Sequence, residues 1–338
     1  MCLSTGIKKL ITKEDIICYK VLTKNPNGTY STPYQRTNVE LNKEMVADDL
    51  SIEYNNNRRN SVRGGFIHAL LYAEDEHGGL SNKDIVFEAV IPSGTEFFVN
   101  DELSQICARK MFITDKVIKE PVKAKSIDII METIADAYPQ NIEGDKVSIG
   151  DFCMTDDNGN KTCIHRSDYT PEKDGNIIGV VGFFNEDGKP VVVSRDEVEK
   201  KWCTLEHSMR PLINNAVSYE TYEKSLNGKE LTENVLKSKE YKPTNYPMFK
   251  WISKYKTKGT KSGDWYVGAI GELEKMFENT TQINLSLIML KGATLLYRWL
   301  WSSSEYDSSH AYRVYTNGGS VDANRKNYNY YVRAFLRV

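Results

Sequence analysis

The chain is short of the features that commit a sequence to the commonest specialised classes. Its six cysteines, at positions 2, 18, 107, 153, 163 and 203, include no CxxC pair. Neither a zinc site nor a dense disulfide framework is therefore indicated, and reduced, partly buried thiols are the expectation. Cys153 and Cys163 flank an expected turn and can pair in an oxidising compartment. There is no basic excess: 44 Lys and Arg stand against 46 Asp and Glu, a net charge of −2. Nothing domain-wide would release counterions from phosphates, so nucleic acid is not an expected partner. Apolar runs such as 177–184 and 287–290 fall far short of the roughly 20 residues that span a bilayer, so membrane insertion is not expected. The first twenty residues have lysines breaking any apolar core and no small-residue cleavage site, so no secretion signal is read there.

What the chain does have is length and an unusual end. At 338 residues it predicts roughly two to three domains. Residues 301–338 hold six of the 20 tyrosines, six serines and four asparagines. Tyr supplies wide amphipathic contact at low entropy cost and Ser and Asn supply adaptable hydrogen bonding, the alphabet of evolved binding loops. The plain alternative is a polar β-hairpin that ends an ordinary domain.

A first unit is expected over 1–122. IICYKVL reads as a strand, NPNG as a turn and TYSTPY as an extended segment broken by Pro33. Phe66 to Ala73 reads as a short helix between glycine pairs, and DIVFEAVIPSGTEFFVND as a hairpin turning at 92–94. His68, with no Ser, Cys or acid at an informative spacing, reads as structural. A connector follows over 123–147, with a short amphipathic helix burying Ile127, Ile130, Met131 and Ile134 and stopped by Pro139.

The second unit, 148–338, opens with two hairpins, one turning on DDNGN and one on Asp187-Gly188. Gly179 and Gly182 inside IIGVVGFF suggest close backbone approach. Residues 218–255 are helical in pattern but polar. DWYVGAIGELEKMFEN is a helix with Ile270, Leu273, Met276 and Phe277 at helical spacing, and the strands of the C-terminal stretch close the chain.

The order Gly150-Asp151, IIGVVGFFNEDGKPVVVS, DWYVGAIGELEKMF, LWSSSEY and YVRAFLRV resembles C-type-lectin-fold domains of the Fibrobacter major paralogous type. Many of these are variable proteins of diversity-generating retroelements. The resemblance covers 148–338 and implies an α+β protein: a C-type lectin-like (formylglycine-generating-enzyme-like) domain preceded by a small mixed α/β domain. It further implies a variable region at about 301–338, in which adenines of AAC-type template codons are altered. Ser309, His310, Tyr312, Arg313, Tyr315, Asn317, Ser320, Asp322, Ala323, Asn324, Arg325, Asn327, Tyr328, Asn329 and Tyr330 are all reachable from AAC, while Trp301, Glu305 and Lys326 are not. Those fifteen positions are the expected ligand-binding set. Trp301, Val314, Val321, Val332 and Phe335 are expected to face the core at strand periodicity, leaving the alternating positions outward. Tyr312, Tyr315, Tyr328 and Tyr330 are the expected anchors, with Arg313 and Arg325 available to acidic groups. Ala334 departs from the family pattern, where proline is expected.

The function implied is a ligand-binding protein, for phage receptor binding or surface adhesion, with an unknown protein or glycan partner on a cell surface. It would lie on a virion tail or a cell surface, as a homo-oligomer or attached through residues 1–145, with no cofactor. Two other readings compete. Formylglycine-generating enzymes share the fold, but their oxidative chemistry needs reactive cysteines and none follows Cys203; Cys203 and His207, four residues apart, would form a thiolate pair only on a helix. A calcium-dependent sugar lectin needs about six to eight oxygen ligands. Glu305, Asp307 and Asp322 are the only acids in the last 38 residues, so no metal is expected.

Overall fold

IIGVVGFF is apolar at every position apart from its two glycines, the pattern of a strand covered on both sides rather than one. In the computed structural model it is such a strand. The structure describes all residues except 1–2, 6, 34–35, 48–50, 56–58, 64–66, 72–83, 101–102, 120–125, 139, 141–145, 157, 205–215 and 317–318, and describes the backbone alone for 3–5, 51–55 and 59–63. The chain divides into two units, Met1–Pro139 and Gln140–Val338, each α+β.

In the first unit the long strand Ile16–Lys24 lies between Ile67–Leu70 and Asp84–Ile91 in a ten-stranded, largely antiparallel sheet. Two expectations fail here. Of the segment read as a helix over 66–73, Phe66 and residues 72–73 lie outside the described residues, and Ile67–Leu70 is a strand between Gln105–Ala108 and Ile16–Lys24; pairing on both sides outweighs a weak helical pattern over so few residues. The expected hairpin over 84–99 is not one. Asp84–Ile91 pairs with Ile16–Lys24 and Lys110–Val117, whereas Glu96–Val99 pairs with Gln105–Ala108 and Leu10–Ile11. The turn at 92–94 exists, but it carries the chain between two parts of the sheet. The helix Ile127–Ala137 belongs to this unit, with Ser126 Oγ accepting from the Ile17 N–H at 2.7 Å. It buries Ile127, Ile130 and Ile134, with Thr133 in place of Met131. His68 is half-buried, and burial foremost lowers its pKa to about 4, so the ring is neutral.

The second unit is built on nine strands. These are β1 (Phe152–Thr155), β2 (Lys161–Ile164), β3 (Ile177–Phe184), β4 (Pro190–Lys201), β5 (Trp265–Val267), β6 (Trp299–Glu305), β7 (His310–Tyr315), β8 (Ser320–Arg325) and β9 (Asn329–Arg337). They run in the order β2-β1-β3-β4-β9-β6-β7-β8, with β5 also paired to β9. All pairings are antiparallel except β6 with β9. Both faces of this sheet are covered. Cys153, Ile178, Val181, Val192, Trp265, Val267, Trp301, Val332, Ala334 and Leu336 pack with the helices α1 (Gly228–Lys237) and α2 (Pro247–Ile252). Their strand neighbours Phe152, Ile177, Val180, Val191, Val193, Tyr266, Leu300, Tyr312, Val314 and Phe335 pack with α3 (Ile270–Glu278) and α4 (Thr280–Leu287). The period of two sorts consecutive residues into two cores.

Both turns expected from sequence are present. Asp156 Oδ1 accepts from the N–H groups of Asn158 and Asn160 at 2.9 and 2.8 Å, and Gly159 takes φ +83°, which a side chain would resist. Gly179 is where two strands crowd: a Cβ there would lie 2.3 Å from the Val193 carbonyl oxygen. Gly179→Ala is accordingly expected to cost more than about 1–3 kcal/mol in urea unfolding. Gly175→Ala, where a Cβ meets nothing within 4 Å, is expected to stay within about 0.5 kcal/mol of the parent.

Candidate functional site

The register of β6, β7 and β8 gathers one set of side chains. Trp299 faces Tyr315, Trp301 faces Arg313, Arg313 faces Asp322 and Tyr315 faces Ser320. Residues directly opposite in an antiparallel pair point the same way, so Trp299, Trp301, Arg313, Tyr315, Ser320, Asp322 and Asn324 share a face. Tyr330 of β9 joins them edge-on to Trp301, with centroids 5.0 Å apart. The Arg313 guanidinium lies 3.8 Å from the centre of the Trp299 ring and 4.3 Å from that of Tyr330, and donates to Asp322 Oδ2 at 2.8 Å. Trp299 and Tyr315 stack at 5.0 Å with planes 25° apart. Asn324 Nδ2 donates to the Tyr330 hydroxyl at 3.0 Å. Stacking suits a guanidinium because it is planar and weakly hydrated, and each such contact contributes about 0.5–2 kcal/mol depending on desolvation. The result is a strip of half-buried aromatic faces, fixed by Arg313 and rimmed by amide, hydroxyl and carboxylate groups.

A second part of the surface is the 306–309 loop and the turn after β8. Asp307 Oδ1 accepts from the N–H groups of Ser309 and His310, both at 2.7 Å, and from the His310 ring at 3.0 Å. Burial alone would raise the Asp307 carboxyl, but these donors hold it below its usual value. Arg325, Tyr328 and Asn329 are exposed and Asn327 is half-buried. Asn317 lies outside the described residues.

The floor of this surface is an ion pair. Lys326 Nζ donates to Glu305 Oε1 at 2.6 Å and to the carbonyl oxygens of Asp307 and Ser308 at 2.9 and 3.1 Å. The ammonium also lies 4.7 Å from the centre of the Trp202 ring. Both charged side chains are essentially inaccessible.

Several sequence expectations are corrected. Tyr312 is fully buried, its hydroxyl donates to the Val217 carbonyl at 3.0 Å, and burial foremost pushes its phenol up to about 12. It is core, because it sits on the opposite face of β7 from Arg313 and Tyr315 and that face is covered as well. Ala323, with Val321, packs partly against the same core. The framework residues do not share one face: Trp301 and Val332 belong to one core, Val314 and Phe335 to the other. Arg313 is a buried, already paired side chain, so an acidic ligand group would compete with Asp322 for it. Ala334 is buried and its N–H donates to Ser194 Oγ at 3.1 Å, a bond that proline could not make. Cys203 is buried and His207 lies outside the described residues. Sequence reasoning missed Trp299, two residues before the expected start of the site. Its signal is present in RWLW, since period-two spacing puts Trp299 on the face of Trp301. Among the described residues, no three His, Cys, Asp or Glu side chains are grouped to hold a metal ion, and no helix is long and apolar enough to cross a membrane.

Removing one partner from the buried ion pair strands the other. Lys326→Met is expected to cost about 3–5 kcal/mol in chemical unfolding, and a paired Glu305→Leu change should recover much of it. The Asp307 carboxyl, lowered in the folded state, contributes stability that is present above its unfolded pKa and lost as pH falls through its folded value. The amide protons of Ser309 and His310 should therefore lose exchange protection in acid, and Asp307→Asn should abolish that pH dependence.

No family model and no curated protein matches the chain. Among solved structures it is similar to a fimbrial protein from Bacteroides ovatus ATCC 8483, at 12% identity and a TM-score of 0.45, with 96% of this chain and 71% of that one covered.

Proposed function

We propose that the second unit is a C-type-lectin-fold ligand-binding domain whose partner meets the strip formed by β6 to β9 and the adjoining loop. The observation that carries this reading is the division of labour within 299–330. Trp299, Tyr315 and Tyr330 are half-buried rings held by their contacts with Arg313 and with one another, and Ser320, Asp322, Asn324, Tyr328 and Asn329 are half-buried or exposed on β8, β9 and the turn between them. Beneath them Glu305, Lys326 and Tyr312 are buried and bonded. Aromatic faces beside amide and hydroxyl groups suit either a sugar ring or a protein surface.

The partner would be a protein or glycan on a cell surface, met by a virion-borne receptor-binding protein or a surface adhesin, and the protein is not an enzyme on this reading. The same division suits diversification by a retroelement, because the AAC-reachable positions at the surface lie outside the packed core while Lys326, Glu305 and Trp301 are buried in it.

Two measurements test the reading. In a display library randomised at Tyr315, Ser320, Asp322, Asn324, Tyr328 and Asn329, most members should fold and yield binders to unrelated proteins and glycans. The same library at Tyr312, Trp301 and Lys326 should be mostly unfolded; equal tolerance at the two sets would refute the assignment. In the source genome, a near-copy of the 301–338 coding stretch should differ only at template adenines, and substitutions spread over all four bases would sink the diversification step. Once a ligand is in hand, Tyr330→Ala is expected to weaken binding by more than about 2 kcal/mol.

A further inference from the structure

The β1–β2 hairpin carries two cysteines that the binding site does not use, and its register places them face to face. Cys153 is the partner of Cys163 and Phe152 of Ile164. The hairpin closes with the Asp156 N–H donating to the Asn160 carbonyl at 3.0 Å, which marks that pair as hydrogen-bonded. Pairs alternate along an antiparallel ladder. Counting back from 156/160, the pair 155/161 is non-hydrogen-bonded, 154/162 hydrogen-bonded, and 153/163 non-hydrogen-bonded again. In such pairs the Cα atoms are about 4.5 Å apart with side chains at their closest, inside the range disulfides span. The next non-hydrogen-bonded pair on the same face is 151/165, and there Asp151 Oδ1 and His165 Nδ1 are 3.0 Å apart. That contact confirms independently that side chains at these positions meet.

The two thiols are not equivalent. Cys153 is fully buried and Cys163 partly open. The Cys153 thiol donates a hydrogen bond to the Cys163 sulfur, which pulls Cys163 below the usual thiol value and pushes Cys153 up. Cys163 is thus the reachable, more readily ionised sulfur, and Cys153 stands directly behind it. Cys18, Cys107 and Cys203 are fully buried, and burial foremost raises Cys18 and Cys107 to about 12.

We propose that Cys153 and Cys163 form a dithiol that undergoes exchange with small-molecule disulfides and closes into a cross-strand disulfide. The Cys163 thiolate attacks one sulfur of the small disulfide, forming a mixed disulfide and releasing one thiolate. Cys153, giving up its proton, then attacks the Cys163 sulfur, and the second thiolate leaves. Two protein thiols are oxidised, one disulfide is reduced to two thiols, and the two protons released by the cysteines end on those thiols. Because β2 is the outermost strand of its sheet next to β1, the bond ties an edge strand to its neighbour.

The test uses the whole folded chain and oxidised glutathione. Trypsin cuts after Lys146, Lys161 and Arg166, so the unreduced digest should contain peptide 147–161 joined to peptide 162–166, two hydrogens lighter than their sum. Reduction should separate them, and Cys18, Cys107 and Cys203 should remain free thiols. Cys153→Ser, with its fold checked by circular dichroism, should instead keep a stable glutathione on Cys163. A glutathione that persists on Cys163 in the unsubstituted chain would overturn the pairing, as would two thiols left unchanged at 153 and 163. An unmodified Cys163 in folded Cys153→Ser would overturn the order of attack.

Discussion

The C-terminal surface depends on one buried ammonium. Lys326 has three N–H donors and no acceptor, and the structure gives it three oxygens: Glu305 Oε1 and the carbonyls of Asp307 and Ser308. Its backbone is engaged as well. Its N–H donates to the Ser309 carbonyl and its carbonyl accepts from the Cys203 N–H. One residue therefore ties the end of β6, the 306–309 loop, the end of β8 and the segment that follows β4. A buried charge of this kind adds little net stability over a well-packed apolar substitute. What it adds is definition, since every other placement of the loop would leave ammonium or carboxylate without its partners.

The serine run before it follows from the same constraint. Between Trp301 and Glu305 the β6–β7 ladder slips, with Trp301 opposite Arg313 and Glu305 opposite Ala311. Four steps on one strand match two on the other, so the intervening backbone loses ladder partners in a fully buried place. Buried backbone groups must be satisfied, and here neighbouring side chains and loops do it. Ser303 N–H donates to the Gly268 carbonyl, Trp202 Nε1 to the Ser302 carbonyl, and Ser302 Oγ to the Tyr312 carbonyl. Ser304 Oγ accepts from the Ile270 N–H at 3.0 Å, which anchors the start of α3. The hydroxyls of Ser302 and Ser304 are thereby explained without any contact to a partner, whereas that of Ser303 is buried without a hydrogen bond among the described residues.

The elements legible in the sequence were those fixed locally. The DDNGN and Asp187-Gly188 turns carry their own chemistry, and both hairpins form around them. Helix α3 shows its spacing plainly over 270–278, but the helix expected from 264 starts too early, since Trp265–Val267 is the strand β5 paired with β9. Gly179 signalled a close approach that the Val193 carbonyl supplies. What was illegible depends on which faces get covered. Strand periodicity over 301–338 puts Tyr312 outward only if one face is buried; α3 and α4 cover the other face, and Tyr312 belongs to it. Likewise, nothing local says that Asp84–Ile91 and Glu96–Val99 go to different neighbours, because pairing partners are chosen by distant strands. Trp299 escapes the sequence for a milder reason: the Tyr/Ser/Asn-rich composition begins at residue 301, whereas the surface begins two residues earlier.

Arg313 marks the limit on how freely such a surface can change. It is buried between Trp299 and Tyr330 and neutralised by Asp322, so it acts as a spacer that holds two aromatic planes apart. A small residue in its place would leave those rings without contacts on one side, and they would close on each other. An acid there would face Asp322 directly across the ladder, where like charges repel. Exchange at 313 thus reshapes the whole strip, whereas exchange at exposed Tyr328 or Asn329 changes one contact. Neighbouring positions of one surface then differ in structural consequence, and the difference is set by burial rather than by residue type.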